Sequence, residues 1–289
     1  METSSPEPVA AQPSAIYLRS TTVRLAFAAV SLFLFLAPAQ LARSPGGVPS
    51  GTGGAAQQQE PIWAAVPVRS GHAFYFTRGV YTDFRHRNPG AWSTDYPKAD
   101  EQFLVVLKRL TRVDAFEHHN PVRFDDPRLR HFPIVYAVEV GQMQMTDAEV
   151  AGLRSYLLAG GLLIADDFWG PRQFAVFEEE IRRVLPEYRI EELPEDHPIR
   201  RNVYHIEHVL SVPNVYRARM GLDPAECDDC RPGRLMGISD ETGRLLVLIS
   251  FNSDLGDAWE WAEQPYYPLP YSNYAFRLGV NWVVFGMTN

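Results

Sequence analysis

The chain has 289 residues, of which 46% are hydrophobic and 21% are charged, so it has the composition of a globular protein and enough length for one large domain or two small ones. Its formal net charge is −8 at pH 7, and it contains no run of Lys and Arg residues. A nucleic-acid partner would require a basic surface, so this class of function is excluded.

The first 42 residues are typical of a targeting segment. Two arginines precede an apolar run, Leu25 to Ala37, and small residues that suit signal-peptide cleavage follow it. The run is shorter than the roughly 20 apolar residues that a membrane span needs, although residues 25–42 together approach that length. We therefore expect residues 1–42 to be a cleaved signal peptide, with an N-terminal membrane anchor as the alternative.

Either alternative implies an exported protein in the periplasm or outside the cell, which meets the membrane only through its N-terminal segment. Residues 43–70 are rich in Gly, Pro, Ser and Gln and show no apolar period, so they are predicted to be a disordered linker. Residues 71–289 are then the folded domain.

Within the folded part, short apolar runs alternate with amphipathic helical patterns. The predicted strands span residues 73–76, 115–117, 134–138, 162–165, 188–190, 203–209, 235–238 and 245–251. The predicted helices begin after Asp95 (as N-cap, with Pro97 in the first turn), after Thr146, at residue 173 and at residue 272. This alternation predicts one α/β domain with a mostly parallel sheet, which ends in an antiparallel hairpin around residues 240–243.

The most informative stretch is a helix–strand unit in the middle of the chain. Thr146 and Glu149 form a capping box at the start of the helix, and a pair of glycines ends it. The apolar strand at residues 162–165 is followed directly by Asp166 and Asp167, at the carboxyl end where open α/β sheets bind their ligands. Because adjacent strand residues point to opposite faces, we expect one of the two carboxylates to face a crevice.

A second acidic loop follows the last predicted strand, at residues 252–263. It contains Asn252, Asp254, Asp257 and Glu260. Oxygen-rich loops of this kind suit a hard cation, but they also arise when side chains bond to nearby backbone in turns. The spacing departs from that of an EF-hand because the glycine comes one position early.

Several tryptophans lie beside these carboxylates, and a loop at residues 78–95 adds more aromatic residues. A flat ring next to fixed acceptors suits a sugar or another polar ring, whereas the alternative is that the tryptophans cover the core. The candidate ligand-binding residues are Asp83, Trp92, Asp95, Glu139, Trp169, Asn252, Asp257 and Trp259. Cys227 and Cys230 form a C-x-x-C motif, which in an exported chain predicts a local disulfide.

Four motifs in order resemble one bacterial family, the domain-of-unknown-function family numbered four-one-five-nine. They are the WSTDYPKAD, YLLAGGLLIADDFWG, LPEDHPI and NSDLGDAWEW segments, and the resemblance extends from Phe74 to Thr288. That family looks like a branch of the class I glutamine-amidotransferase-like superfamily. The resemblance therefore implies a three-layer, flavodoxin-like α/β fold.

The amidotransferases of that superfamily carry a nucleophilic cysteine after a strand. At the comparable strand exit this chain has Asp166 and Asp167, while Cys227 and Cys230 lie in a different segment. Without a thiolate at that place, the thioester chemistry on glutamine lacks its attacking group. The chain is therefore not expected to be an amidotransferase.

Two functional hypotheses remain. The first is an exported domain that binds a small polar ligand or an envelope protein at the carboxyl edge of the sheet, with no cofactor predicted. The alternative is a cell-envelope hydrolase in which Asp166 or Asp167 forms an acid/base pair with Asp254 or Glu260, with or without a divalent cation. Carboxylates about 5–10 Å apart across an open cleft would favour the hydrolase, whereas carboxylates bonded to backbone amides or arginines would oppose it.

Overall fold

The computed structural model describes residues 72–87 and 89–288, so the predicted targeting segment and linker lie outside the described residues. The described strands are β1 (Thr77–Val80), β2 (Asn120–Arg123), β3 (Ile134–Val138), β4 (Leu162–Asp166), β5 (Glu191–Glu192), β6 (Arg234–Ser239) and β7 (Leu245–Phe251). The described α-helices are α1 (Lys98–Leu110), α2 (Asp147–Leu158), α3 (Gly170–Val184), α4 (Val215–Met220), α5 (Leu255–Glu260) and α6 (Leu269–Thr288).

The strands form one sheet in the order β2-β1-β3-β4-β7-β6-β5. The first five of these are parallel, whereas β6 pairs antiparallel with β7 and β5 pairs antiparallel with β6. Every residue of β3, β4 and β7 is buried, as expected for parallel strands covered on both faces. The predicted α/β fold with a mostly parallel sheet is confirmed.

Helices cover both faces of the sheet. Alternate residues of β4 belong to different core clusters: Leu163 packs with residues of α2 and α3, and Ile164 packs with residues of α1, α5 and α6. This division follows from the pleat of a strand, which points successive side chains to opposite faces. Among the described residues, no helix is both long enough and apolar enough to cross a membrane.

The predictions that rest on local chemistry are confirmed. β3 and β7 have the predicted bounds, and the hairpin of β6 and β7 turns at residues 240–243. The Thr146 hydroxyl accepts from the Glu149 backbone N–H at 3.2 Å, and the Glu149 carboxylate accepts from the Thr146 N–H at 2.9 Å. The capping box is therefore complete at the start of α2.

Two early strands were predicted at the wrong residues. β1 begins at Thr77, not at residue 73, and the segment predicted as a strand at 115–117 contributes only an isolated bridge from Ala115 to Phe74. The observed strands pair Thr77 with Asn120, and the Asn120 side chain donates to the Thr77 hydroxyl at 3.0 Å. A search for apolar residues in the sequence does not find strands like these, in which buried polar side chains form hydrogen bonds with one another.

Four further elements also differ from prediction. Residues 203–209 are not a strand, because Asn281 of α6 accepts from the Tyr204 N–H and donates to its carbonyl, at 2.8 Å in both cases. The edge strand is only β5, displaced from residues 188–190. The acidic loop at 252–263 contains the short helix α5, and α1 begins at Lys98, so that Asp95 is not its N-cap.

Candidate functional site

A carboxylate follows each of four parallel strands at the carboxyl edge of the sheet. Asp95 belongs to the segment between β1 and α1, Glu139 follows β3, Asp167 follows β4, and Asp254 lies three residues beyond β7. The two last loops touch, because the Asp167 N–H donates to the Ser253 carbonyl at 3.2 Å. The topology of a parallel sheet thus gathers side chains that are up to 159 positions apart in sequence (254 − 95).

The backbone at this edge adopts an unusual conformation. Asp95, Glu139, Asp167 and Asn252 all have left-handed backbones, with φ values of 61°, 52°, 52° and 58°. A residue with a Cβ pays about 1–3 kcal/mol for such a conformation when the surrounding structure holds it there, and such residues cluster at binding and active sites. Four strand-exit segments of one sheet edge share this feature, which marks the edge as the candidate site.

Three aspartates form its centre. Asp254 is the N-cap of α5, where its carboxylate accepts from the Asp257 N–H at 2.8 Å, and Asp95 reaches the same place from the other side of the crevice. One carboxylate oxygen of each aspartate lies within 4.8 Å of those of the other two. A Cβ on Gly256 would lie 2.2 Å from Asp95 Oδ2, so this close approach requires glycine.

The three carboxylates differ in their hydrogen bonds. Asp257 accepts from the Val215 N–H at 2.5 Å through one oxygen and from the Trp261 indole N–H at 2.8 Å through the other. Asp95 Oδ2, by contrast, is buried and has no hydrogen-bond partner in the part of the chain that the structure describes. Buried polar atoms are nearly always paired, so an unpaired carboxylate oxygen indicates a missing ligand.

The electrostatics of the cluster are unfavourable for three charges. Burial raises the pKa of Asp254 well above its usual range, and the neighbouring carboxylates of Asp167, Asp257 and Asp95 raise it further. Burial and Asp257 likewise raise the pKa of Asp95, while Arg78 opposes the shift. The protein surroundings therefore disfavour simultaneous ionisation of these carboxyl groups.

Asp166 lies beneath this cluster and has a different role from Asp167. Its Oδ2 accepts from the Tyr136 hydroxyl at 2.7 Å and from the Leu255 N–H at 3.0 Å. Burial raises the pKa of Asp166 to about 6, and hydrogen bonds from Tyr136 and Ser250 limit the rise. Asp166 thus ties β3, β4 and α5 together, and Asp167 is the one of the pair that extends the acidic edge.

Asp167 and Glu139 form the outer part of the acidic edge. Burial raises the pKa of Asp167 well above its usual range, with further contributions from Glu139 and Asp95. The Gln142 amide donates to Glu139 at 2.6 Å, and the Trp169 indole donates to Asp167 at 3.2 Å. Glu260, the remaining acidic candidate, is partly exposed, and its pKa is raised by burial and by Asp257.

Two predicted ligand-binding residues hold loops in place instead. Asp83 accepts from the backbone N–H groups of Arg85 and Ala91, both at 2.8 Å. Asn252 accepts from the Gly170 N–H at 2.9 Å and donates to the Pro232 carbonyl at 3.0 Å. Their polar atoms are bonded to backbone groups, which lie in the same loop for Asp83 and 82 and 20 positions away in sequence for Asn252.

The sequence left open whether the tryptophans face a ligand or cover the core, and the structure places the three candidates Trp92, Trp169 and Trp259 inside. Trp92 is buried, and Trp259, which is 1% exposed, packs in the core against Phe103 and Tyr136 with ring centroids 4.7 and 5.3 Å away. Trp169 is buried against the Cys230 region. The large apolar area of each indole stabilises the fold most when it is removed from water, which explains the location.

Cys227 and Cys230 are joined by a disulfide at the start of α3. A Cβ on Gly170 would lie 3.0 Å from the Sγ atoms of both cysteines. The disulfide therefore packs directly on the turn that follows β4, beside Asp167 and Trp169.

The sequence did not predict two buried features that support the site. Arg78 and Asp100 form an ion pair in which both side chains are fully buried, and Arg78 also donates to the Thr94 carbonyl at 3.2 Å, next to Asp95. The second feature is Gly256, because the absence of a side chain there leaves space for the Asp95 carboxylate. The only signal for Arg78 is a charged residue inside a run of otherwise uncharged strand residues.

The fold and the site together define an α/β domain with a cluster of carboxylates at the carboxyl edge of a mostly parallel sheet. A family model described as Domain of unknown function (DUF4159) matches residues 81–287. The chain belongs to this family, and the match includes every carboxylate of the candidate site. No curated protein matches the chain.

Proposed function

We propose that the protein is an exported binding domain that recognises a positively charged polar ligand at the carboxyl edge of its sheet. The observation that carries the proposal is the convergence of Asp95, Asp167, Asp254 and Asp257, whose pKa values are all raised, around the unpaired Asp95 oxygen. A cationic group would remove the mutual repulsion of these carboxylates, and the same interaction would provide affinity.

We also propose that the fold is flavodoxin-like and a branch of the class I glutamine-amidotransferase-like superfamily. In support, the five parallel strands, numbered in chain order among themselves, run 2-1-3-4-5 across the sheet. In folds with this order the ligand binds where the order reverses, between the first and third strands. Asp95 follows β1 and Glu139 follows β3, so these two carboxylates of the acidic edge lie at the switch point, whereas Asp254 and Asp257 follow β7.

Amidotransferase chemistry has no support at this edge. The comparable strand exit carries Asp166 and Asp167, and both cysteines of the chain are in the disulfide. The hydrolase alternative has weaker support than binding. Of its candidate carboxylates, Asp166, Asp167 and Asp254 are buried, and Asp166 and Asp254 accept from the backbone N–H groups of Leu255 and Asp257.

Export and a periplasmic or extracellular location remain part of the proposal and rest on residues 1–42. A protein partner in the envelope would present Lys or Arg side chains, or an amino terminus, to the crevice. The structure favours such groups over neutral sugars because the tryptophans that would stack on a sugar ring are buried.

The test is a thermal-shift screen of the purified protein with amines, Lys- and Arg-containing peptides, neutral sugars and divalent cations. We expect a rise of several degrees in Tm with at least one cationic class, because a ligand that binds only the folded state stabilises it. The Asp254→Asn variant should lose the shift, and Asp126→Asn, which lies in an exposed ion pair with Arg128, should keep it. Stabilisation by neutral sugars alone, or by no class, would contradict the proposal.

A further inference from the structure

The carboxylate oxygens at the centre of the acidic edge are spaced closely enough to contact a single ion. Asp254 is 3% exposed and Asp257 is 6% exposed, and their oxygens and that of Asp95 lie within 4.8 Å of one another. Ca²⁺ binds oxygen ligands at about 2.3–2.6 Å, so two ligands on opposite sides of the ion are separated by about 4.6–5.2 Å. The three oxygens thus already fall within the span of one coordination sphere.

The Asp95 carboxylate provides an independent indication of a ligand. Its Oδ2 is buried and unpaired, and it points at Gly256 between the other two aspartates of the cluster. Asp95 belongs to a different segment from Asp254 and Asp257 and is not fixed there by capping α1. A group that bonds this oxygen is required to offset its burial.

The positive side chains nearest to the cluster are already committed elsewhere. Arg78 is paired with Asp100, and Lys98 lies 3.6 Å from Glu263 and 4.2 Å above the Trp261 ring. Among the described residues, no Lys, Arg or His forms an ion pair with any of the three aspartates. The protein itself therefore does not supply the missing cation.

We propose that Asp95, Asp254 and Asp257 bind a hard divalent cation, and that Ca²⁺ is the best match. The inference rests on the proposed function, because it names the ligand of the same crevice. Hard cations take carboxylate oxygens, and no soft sulfur or imidazole ligand belongs to the cluster. Three carboxylates leave coordination positions for water, since Ca²⁺ takes about 6–8 oxygens.

The first experiment measures cation binding by the full chain after treatment with a chelator. We expect Tm to rise by about 5 °C or more in millimolar CaCl₂ and less in MgCl₂, because Mg²⁺ demands shorter and more regular coordination. Tb³⁺ serves as a second probe. Its luminescence should be sensitised through Trp261, whose indole lies 2.8 Å from Asp257 Oδ1, and CaCl₂ should displace it.

Two variants test the geometry. Asp95→Asn keeps the shape of the side chain but removes its charge, and we expect it to weaken the apparent Kd for Ca²⁺ at least about tenfold. Gly256→Ala leaves all three carboxylates in the chain but places a Cβ 2.2 Å from Asp95 Oδ2, so it should weaken binding to a similar extent. Asp126→Asn is the matched control and should bind as the unaltered protein does.

Three outcomes would overturn the inference: no Tm change with CaCl₂, MgCl₂ or MnCl₂, Tb³⁺ luminescence that CaCl₂ does not displace, or unchanged binding in both Asp95→Asn and Gly256→Ala. If either Asp95→Asn or Gly256→Ala does not fold, cation binding by the remaining variant tests the inference. If peptides or amines bind in the presence of the chelator while the metal ions do not, the proposed function stands and the metal site falls. If neither class binds, both fail.

Discussion

Two acidic regions of this protein differ in how their carboxylate oxygens are hydrogen-bonded. Glu149, fully buried at the start of α2, accepts from the backbone N–H groups of Thr82 and Thr146 at 3.0 and 2.9 Å, and from Arg123 at 3.1 Å. Asp95 is also held by buried surroundings, but its Oδ2 has no donor at all. Burial of a carboxylate is therefore common to both regions, and only the missing partner distinguishes the candidate site.

The ion pair of Arg78 and Asp100 strengthens the same comparison. Both side chains are fully buried, directly beside the segment that carries Asp95, and the Arg78 guanidinium also lies 4.9 Å from the Tyr136 ring. Here the protein supplies the counter-charge for one carboxylate. Among residues 72–87 and 89–288 it supplies none that pairs with Asp95, Asp254 or Asp257, and this difference is consistent with a counter-charge that comes from outside this part of the chain.

The largest expected effect on stability comes from breaking the buried ion pair of Arg78 and Asp100. Arg78→Met leaves Asp100 buried without its partner, and we expect a loss of about 3–5 kcal/mol in the free energy of unfolding. Urea unfolding followed by circular dichroism measures it. Arg182→Met removes the exposed ion pair with Glu178 and should cost less than about 1 kcal/mol. Equal losses in the two variants would show that burial of the pair is not what matters.

The pH dependence of stability tests the acidic edge directly. The pKa values of Asp95, Asp166, Asp167 and Asp254 are raised in the folded state, so their contribution to stability is present at low pH and is lost as pH rises through those pKa values.

The metal-free protein should therefore lose stability between about pH 5 and pH 7. A loss on the order of 1 kcal/mol between these two pH values is expected from Asp166 alone, because burial raises its pKa from 3.8 to about 6 and only about one unit of that rise lies above pH 5. Denaturant unfolding in buffers at pH 5 and pH 7 measures the difference in the free energy of unfolding. Saturating CaCl₂ should reduce the loss, because a bound cation favours the ionised carboxylates, and a stability that rises with pH in metal-free protein would contradict this account.

Removal of a satisfied carboxylate should weaken the fold. Glu149→Gln retains the length of the side chain but loses the charge that several donors share, and we expect a loss of about 2 kcal/mol. Urea unfolding gives the value. Glu178→Gln, an exposed glutamate of α3, is the control and should change stability by less than about 0.5 kcal/mol.

The smallest expected effect has the opposite sign. In metal-free protein at pH 7, Asp95→Asn should raise the free energy of unfolding by about 1 kcal/mol, because it removes a repelling carboxylate and adds a donor for its neighbours. The same measurement in CaCl₂ should show the unaltered protein gaining more stability than the variant. If the metal-free variant is instead less stable than the unaltered protein, Asp95 is a structural residue like Glu149.

Local chemistry in the sequence determined the frame of the site. The capping box of Thr146 and Glu149, strand β3 and the β6–β7 hairpin depend on residues within a few positions of one another, and these predictions were correct. Once alternating strands and helices predict a parallel sheet, the carboxyl ends must lie at one edge. The segments that carry Asp167 and Asp254 were therefore predictable as neighbours.

The tertiary structure alone decided which oxygens are free. Asp95 was expected to cap α1, and its carboxylate instead approaches Gly256, 161 positions later (256 − 95). Asn281 of α6 replaces a predicted strand by bonding residues 203–204, and Trp259 turns into the core. Propensity and periodicity act over a few residues, whereas a hydrogen-bond partner or a packing neighbour can come from anywhere in the chain. The binding chemistry of this edge depends on those distant partners.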